Sequence, residues 1–109
     1  MSERGPFIAV YIMASGRNGT LYTGSTSNLY ARVWQHRVQT FEGFSAQFGC
    51  TRLVWFEPHE TLLTAVRRER RLKKCLRDWK LALIERANPD WLDLAADWYP
   101  TPPSSSGEA

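Results

Sequence analysis

Two tyrosines, an arginine, a histidine and a glutamate occupy positions that the hydrophobic pattern of this sequence would assign to its interior. Tyr11 and Tyr22 lie in short β-branched and aromatic runs, Val10-Tyr11-Ile12 and Leu21-Tyr22-Thr23. Leu29, Arg32, Val33 and His36 fall at i, i+3, i+4 and i+7, which is one face of a helix. Glu69 stands four residues after Ala65, in an inward stripe formed with Val66, Leu72 and Leu76. Phenol and imidazole groups move protons, and a guanidinium can grip two phosphate oxygens at once without losing its charge. One carboxylate among neutral and cationic groups suits a single Mg²⁺, which fills its other positions with water and phosphate oxygens.

Each residue has a plainer explanation when taken alone. Two strand tyrosines can form an aromatic cross-strand pair worth up to about 1 kcal/mol. The α-helical face carrying Arg32 and His36 could be turned outward, with Trp34 and Val38 facing in. Glu69 could belong to a structural ion pair, for instance with Arg32. Yet arginine is almost never fully buried unpaired, and a buried carboxylate needs a partner, a metal ion or a raised pKa. Polar groups directed inward from a hairpin and from two helices are what a catalytic pocket requires.

The elements that must position them are readable. Residues 7 to 13 form a first strand, and Ser15-Gly16-Arg17-Asn18-Gly19 a turn with the hairpin dipeptide Asn-Gly. Residues 20 to 24 return as an antiparallel strand. Pairing Met13 with Thr20 would set Tyr11 directly across from Tyr22; a slip of two residues would keep them on one face. Asn28 caps a helix to about Val38, and a loop containing Phe41-Glu42-Gly43-Phe44 follows. A third strand spans residues 51 to 57 and stops at Pro58. A basic helix opens near Thr61 and reaches about Leu76, and another runs from Trp79 to Ala87, where Asn88-Pro89 ends it. The order β-β-α-β-α-α describes a small α/β sandwich, a three-stranded antiparallel-type sheet flanked by helices. The domain spans residues 7–94, and 95–109 is a tail, expected to be disordered from about residue 100.

A chain of 109 residues with 43% hydrophobic content can bury one core. No segment approaches the roughly 20 apolar residues of a membrane span, and no signal-peptide run is present, so a cytoplasmic protein without membrane contact is expected. Cys50 and Cys75 lack metal-knuckle spacing and read as free thiols. The net charge of +3 is concentrated: Arg67, Arg68, Arg70, Arg71, Lys73 and Lys74 place six of fourteen basic residues around Glu69. A charge run is ordinarily a solvated face, but one with Arg68, Arg71, Lys73 and Lys74 can also follow a phosphate backbone.

Tyr11, Tyr22-Thr23-Gly24, Arg32, His36 and Glu69, in that order and spacing, resemble the GIY-YIG endonuclease family, most closely its small single-domain members. The resemblance covers residues 7 to 94. It implies a nuclease that hydrolyses phosphodiester bonds in nucleic acid, here expected to be DNA, with a tyrosine as general base. Glu69 would hold one divalent metal ion, Mg²⁺ or Mn²⁺, and Arg32 would contact the scissile phosphate. Tyr11, Tyr22 and His36 would handle protons, His36 at a helix position that assists the base in some members. A free phenol has a pKa of about 10, so a tyrosine base needs its anion favoured by nearby cations. Which tyrosine serves is open.

The motif departs from the family's in reading Ala9-Val10-Tyr11 and Tyr22-Thr23-Gly24, substitutions that are all strand fillers. The family's further polar residue has a candidate in Asn88, which reads equally well as a helix stop. Repair or processing of recombination intermediates, with a protein partner for targeting, is what the resemblance suggests as a role. The alternative is a nucleic-acid-binding module of the same fold with weak or no catalysis. A protein-interaction module using exposed Trp91 and Trp98 is a third reading.

Overall fold

The computed structural model describes residues 7–38 and 49–99. The expected Phe41–Phe44 loop and the tail from residue 100 lie outside them. Strand β1 (Ala9–Ala14) is the middle of a three-stranded antiparallel sheet of order β2-β1-β3, with β2 at Leu21–Thr26 and β3 at Arg52–Pro58. Every residue of β1 is buried, so its alternation sorts side chains between two cores rather than between core and water. Ala9, Tyr11 and Met13 face helix α1 (Leu29–Val38), packing with Leu29 and Val33. Val10, Ile12 and Ala14 face the opposite side, where Leu72 of helix α2 (Leu62–Lys73) and Ile84 of helix α3 (Arg77–Ala87) cover them. This is the expected β-β-α-β-α-α sandwich.

Local chemistry sets the helix starts. Asn28 Oδ1 accepts from the Ala31 N–H at 3.1 Å, and Thr61 Oγ1 accepts from the Thr64 N–H at 3.2 Å, each satisfying an otherwise orphaned donor. Helix α2 ends earlier than expected. Lys74 N and Cys75 N bond back to Arg71 O and Leu72 O in i→i+3 fashion, tightening the last turn. Leu76 then adopts extended backbone as the residue preceding α3 and is 80% exposed, so it does not belong to the inward stripe.

The hairpin register also differs from the Met13–Thr20 pairing. Tyr11 lies opposite Gly24, and Met13 opposite Tyr22. Ser15 and Thr20 close the loop, with Ser15 N donating to Thr20 O at 3.0 Å and Thr20 N to Ser15 Oγ at 2.9 Å. Four residues, Gly16 to Gly19, therefore turn the chain, and Asn18 takes the left-handed conformation, φ 55°. The slip is two residues, so Tyr11 and Tyr22 remain on one face but meet diagonally.

On the other edge, Val54 is an extra residue in β3, since Ile12 pairs with Trp55 and Met13 with Leu53. The chain beyond α3 then crosses this edge: Leu94 N donates to Leu53 O at 2.8 Å, and Asp93 Oδ1 accepts from Leu53 N at 3.3 Å. Trp91 is fully buried under α3, its indole N–H bonded to Glu85 at 2.8 Å, and so is unavailable as an exposed docking residue. Ala95 is buried on the α1 face, where Trp98 packs edge-on against Phe7 and Phe56 and the Tyr99 hydroxyl donates to Tyr30 O.

Candidate active site

Gly24 is the centre about which the polar residues gather. It stands opposite Tyr11 on edge strand β2, and a Cβ there would lie 2.7 Å from the Tyr11 hydroxyl and 3.1 Å from the Tyr22 ring. The glycine is required by close approach, because the space of its missing side chain holds the Tyr11 phenol. Tyr22 flanks it two residues away on the same face, the two tyrosine rings 6.3 Å apart. Helix α1 delivers His36 between them, its ring 5.5 Å from Tyr11 and 5.0 Å from Tyr22. The inward face of α1 is thus Leu29, Val33 and His36, while Trp34 and Val38 are exposed. The outward-turned alternative for Arg32 and His36 does not hold.

This half of the site is dry. Tyr11 Oη and His36 Nε2 are 2.9 Å apart, and both residues are essentially inaccessible. Burial, and secondarily the Arg32 charge, lowers the His36 pKa to about 4, so the imidazole is neutral near pH 7. Burial pushes the Tyr11 phenol well above its ordinary range, with Tyr22 and Glu69 adding to the rise. Arg32 opposes that shift through its charge and a side-chain hydrogen bond to the phenol. A neutral imidazole on one side and a guanidinium on the other is consistent with Tyr11 donating to Nε2 and accepting from Arg32.

Glu69 approaches from the opposite face of the sheet. Its carboxylate is held at both oxygens: Ser25 Oγ donates to Oε1 at 2.5 Å, and Lys73 Nζ sits 2.7 Å from Oε2. Ser25 neighbours Gly24 and, by strand alternation, points to the α2 side, so one edge residue faces the tyrosines and the next faces the carboxylate. Ser25 is not among the residues that the sequence pattern marks as polar and inward. Its signal was parity, a small hydroxyl one residue out of phase with the tyrosine face. Glu69 retains 18% side-chain exposure, and its charge still acts on Tyr11 around the strand edge.

The structure therefore brings Tyr11, Tyr22, Arg32, His36 and Glu69 to one strand edge. The basic residues of α2 divide. Lys73 is engaged with Glu69, whereas Arg68 donates to Glu57 Oε1 at 3.1 Å and lies 6.0 Å from the Trp55 ring, toward β3. Arg71 and Lys74 are exposed. Asn88 is buried with its amide turned to main chain, donating to Val54 O and Leu92 O and accepting from Leu92 N. Among the described residues no three His, Cys, Asp or Glu side chains cluster as a metal cage. A donor set of one carboxylate and a neighbouring hydroxyl fits an ion that keeps most of its own water, as Mg²⁺ does.

Residues 7–82 match the profile of the GIY-YIG catalytic domain. A UPF0213 protein of Clostridium perfringens (strain 13 / Type A) is 37% identical over 75 residues, 69% of this chain and 80% of its own length. The solution NMR structure of a UPF0213 protein from Bacillus halodurans superimposes with a TM-score of 0.50 at 23% identity, over 83% of this chain and 96% of that one, a likeness of fold. The chain belongs to the GIY-YIG family, a family of nuclease-type fold, and among its described residues no helix is long and apolar enough to cross a membrane.

Proposed function

From membership of the GIY-YIG family, we propose that this protein is a divalent-metal-dependent endonuclease acting on DNA. The observation that carries the reading is the convergence of Tyr11, Tyr22, Arg32, His36 and Glu69 on the Gly24 edge from four separate elements. Hydrolysis of a phosphodiester needs a proton removed from water, charge neutralised on the phosphorus centre and a proton supplied to the leaving oxygen.

Tyr11 is the better-connected base, because its proton has somewhere to go. The phenol is buried in the free protein, so substrate binding must first admit water at the Gly24 edge; the phenol oxygen then takes a proton from that water as the neutral His36 Nε2, 2.9 Å away, accepts the phenol's own. Arg32 supports the developing phenolate charge and presents its remaining N–H groups to the phosphate. Tyr22, half-buried at the rim, positions the attacking water or the phosphate. Glu69, held by Ser25, would be the protein ligand of Mg²⁺ or Mn²⁺, which when bound supplies positive charge to the phosphate oxygens. Arg71 and Lys74 would contact flanking phosphates. The two free thiols suit a reducing cytoplasm.

The test is nicking of a panel of linear, flapped and branched DNA by wild type and Glu69→Gln, with Mg²⁺ or Mn²⁺. Gln keeps the volume and removes the charge, and we expect cleavage to fall at least about a hundredfold while binding persists. Cleavage at the wild-type rate would remove Glu69 from the mechanism. Binding without cleavage by the wild type would favour the non-catalytic reading, which the strongly disfavoured Tyr11 anion also supports.

A further inference from the structure

We infer that Lys73 is a resident cation at the Glu69 site, which a divalent metal ion must displace in order to bind, while Ser25 holds the carboxylate in place through the exchange. The inference rests on the reading of Glu69 as the metal's protein ligand.

The two carboxylate oxygens have partners of different kinds. Ser25 belongs to β2, within a hydrogen-bonded sheet, and its hydroxyl gives Oε1 a fixed partner. Lys73 lies one helical turn after Glu69, on a flexible four-carbon stem with its side chain 52% exposed. An i, i+4 ion pair with a half-exposed lysine is weak. It is strong enough to occupy Oε2 and weak enough to yield it to a doubly charged ion. The ammonium thus keeps the edge of the sheet near charge balance when no metal is bound, offsetting the charge by which Glu69 disfavours a Tyr11 phenolate. Once displaced, Lys73 remains within reach of the same locus and can turn to a phosphate oxygen, so metal and nucleic acid would favour each other's binding.

The measurement is Mn²⁺ affinity of the full chain without nucleic acid, followed by electron paramagnetic resonance of free Mn²⁺. Lys73→Met removes the competing charge and preserves the apolar stem. We expect roughly fivefold tighter Mn²⁺ binding, the size set by a half-exposed pair and a screened like-charge repulsion. Lys73→Arg keeps a cation at the position and should stay near wild type. Arg67→Met, an exposed cation two residues from Glu69 and not facing it, should change affinity much less than Lys73→Met. Ser25→Ala should weaken binding, with Ser25→Thr restoring it, because the hydroxyl orients Oε1.

Glu69→Gln separates the inference from the reading beneath it. If wild type binds Mn²⁺ and Glu69→Gln abolishes binding, but Lys73→Met has wild-type affinity, Lys73 is not a competitor and only this inference is overturned. If no variant binds Mn²⁺, or if Glu69→Gln binds as wild type does, the assignment of the metal to Glu69 falls and the inference falls with it.

Discussion

The two sides of the Gly24 edge are built on opposite physical terms. Toward α1, Tyr11 and His36 are sealed from water, and burial drives both to their neutral forms. Toward α2, Glu69 and Lys73 are formally charged and partly wet, with contacts that exchange easily. The dry side is organised before any ligand arrives, since a buried phenol–imidazole bond leaves its partners few alternatives. The wet side is adjustable, as a site must be if ions and nucleic acid are to enter and leave. Arg32 lies at the junction, acting on Tyr11 and His36 from a position that retains some exposure.

The largest expected effect falls on that junction. Arg32→Lys should lower single-turnover cleavage almost as far as Arg32→Ala, roughly a hundredfold or more, because lysine keeps the charge and loses the planar fork. An active lysine variant would reduce Arg32 to a source of positive potential, and the junction would lose its special role.

Next is the acid response of the dry side. His36 titrates near 4 in the fold, and near 6.5 when unfolded. The folded state therefore excludes a proton that the unfolded chain binds, and stability from this source is complete above about pH 6.5 and lost as pH falls toward 4. The total is on the order of 3 kcal/mol. The charged and titratable groups facing the ring are Tyr11 from β1, Tyr22 from β2 and Arg32 from its own helix. Urea denaturation of wild type and His36→Gln should give a stability difference that shrinks between pH 6.5 and 4. A constant difference would mean the ring is hydrated, and the contrast between the two sides would fail.

The smallest effect concerns the cations of the wet side. A phosphate contact contributes roughly 0.9 to the slope of log affinity against log salt on duplex DNA. Arg71→Ala should flatten the slope by about that amount, and Arg68→Ala by less, because Glu57 already engages Arg68. Equal flattening, measured by anisotropy titrations across salt concentrations, would show that the Glu57 pair opens on binding.

Much of this was legible in the chain itself, for identifiable reasons. The spacing of Leu29, Arg32, Val33 and His36 determines which residues share a helix face, and Asn28 and Thr61 announce their helices by side-chain chemistry. The same periodicity placed Glu69 beside Ala65 and Leu72, although it lies at the sheet edge and not in the core. What was hidden depended on distant partners or on loop geometry. Asn18-Gly19 marks the turn, but the Ser15–Thr20 closure around a four-residue loop sets Tyr22 opposite Met13 and not opposite Tyr11. Trp91 reads as a surface aromatic until Glu85 and the α3 packing are known, and its left-handed backbone, φ 56°, is unusual for so bulky a residue. Arg68 reads as a free cation until the sheet order brings Glu57 beneath it.

The strand edge covered by residues 93 and 94 has a consequence for what counts as the unit of this protein. The family correspondence ends at residue 82, yet Asn88, Trp91 and Ala95 are interior, and Trp98 packs beside Phe7 near the other limit of the described chain. The stretch that matches the family profile is therefore shorter than the stretch that closes the hydrophobic interior. A fragment cut at the limit of resemblance would keep the five polar residues and lose the indole filling the core beneath α3, along with the lining of the α1 layer. The family match and the packed interior have different boundaries here, and the last seventeen described residues lie beyond the first and inside or against the second.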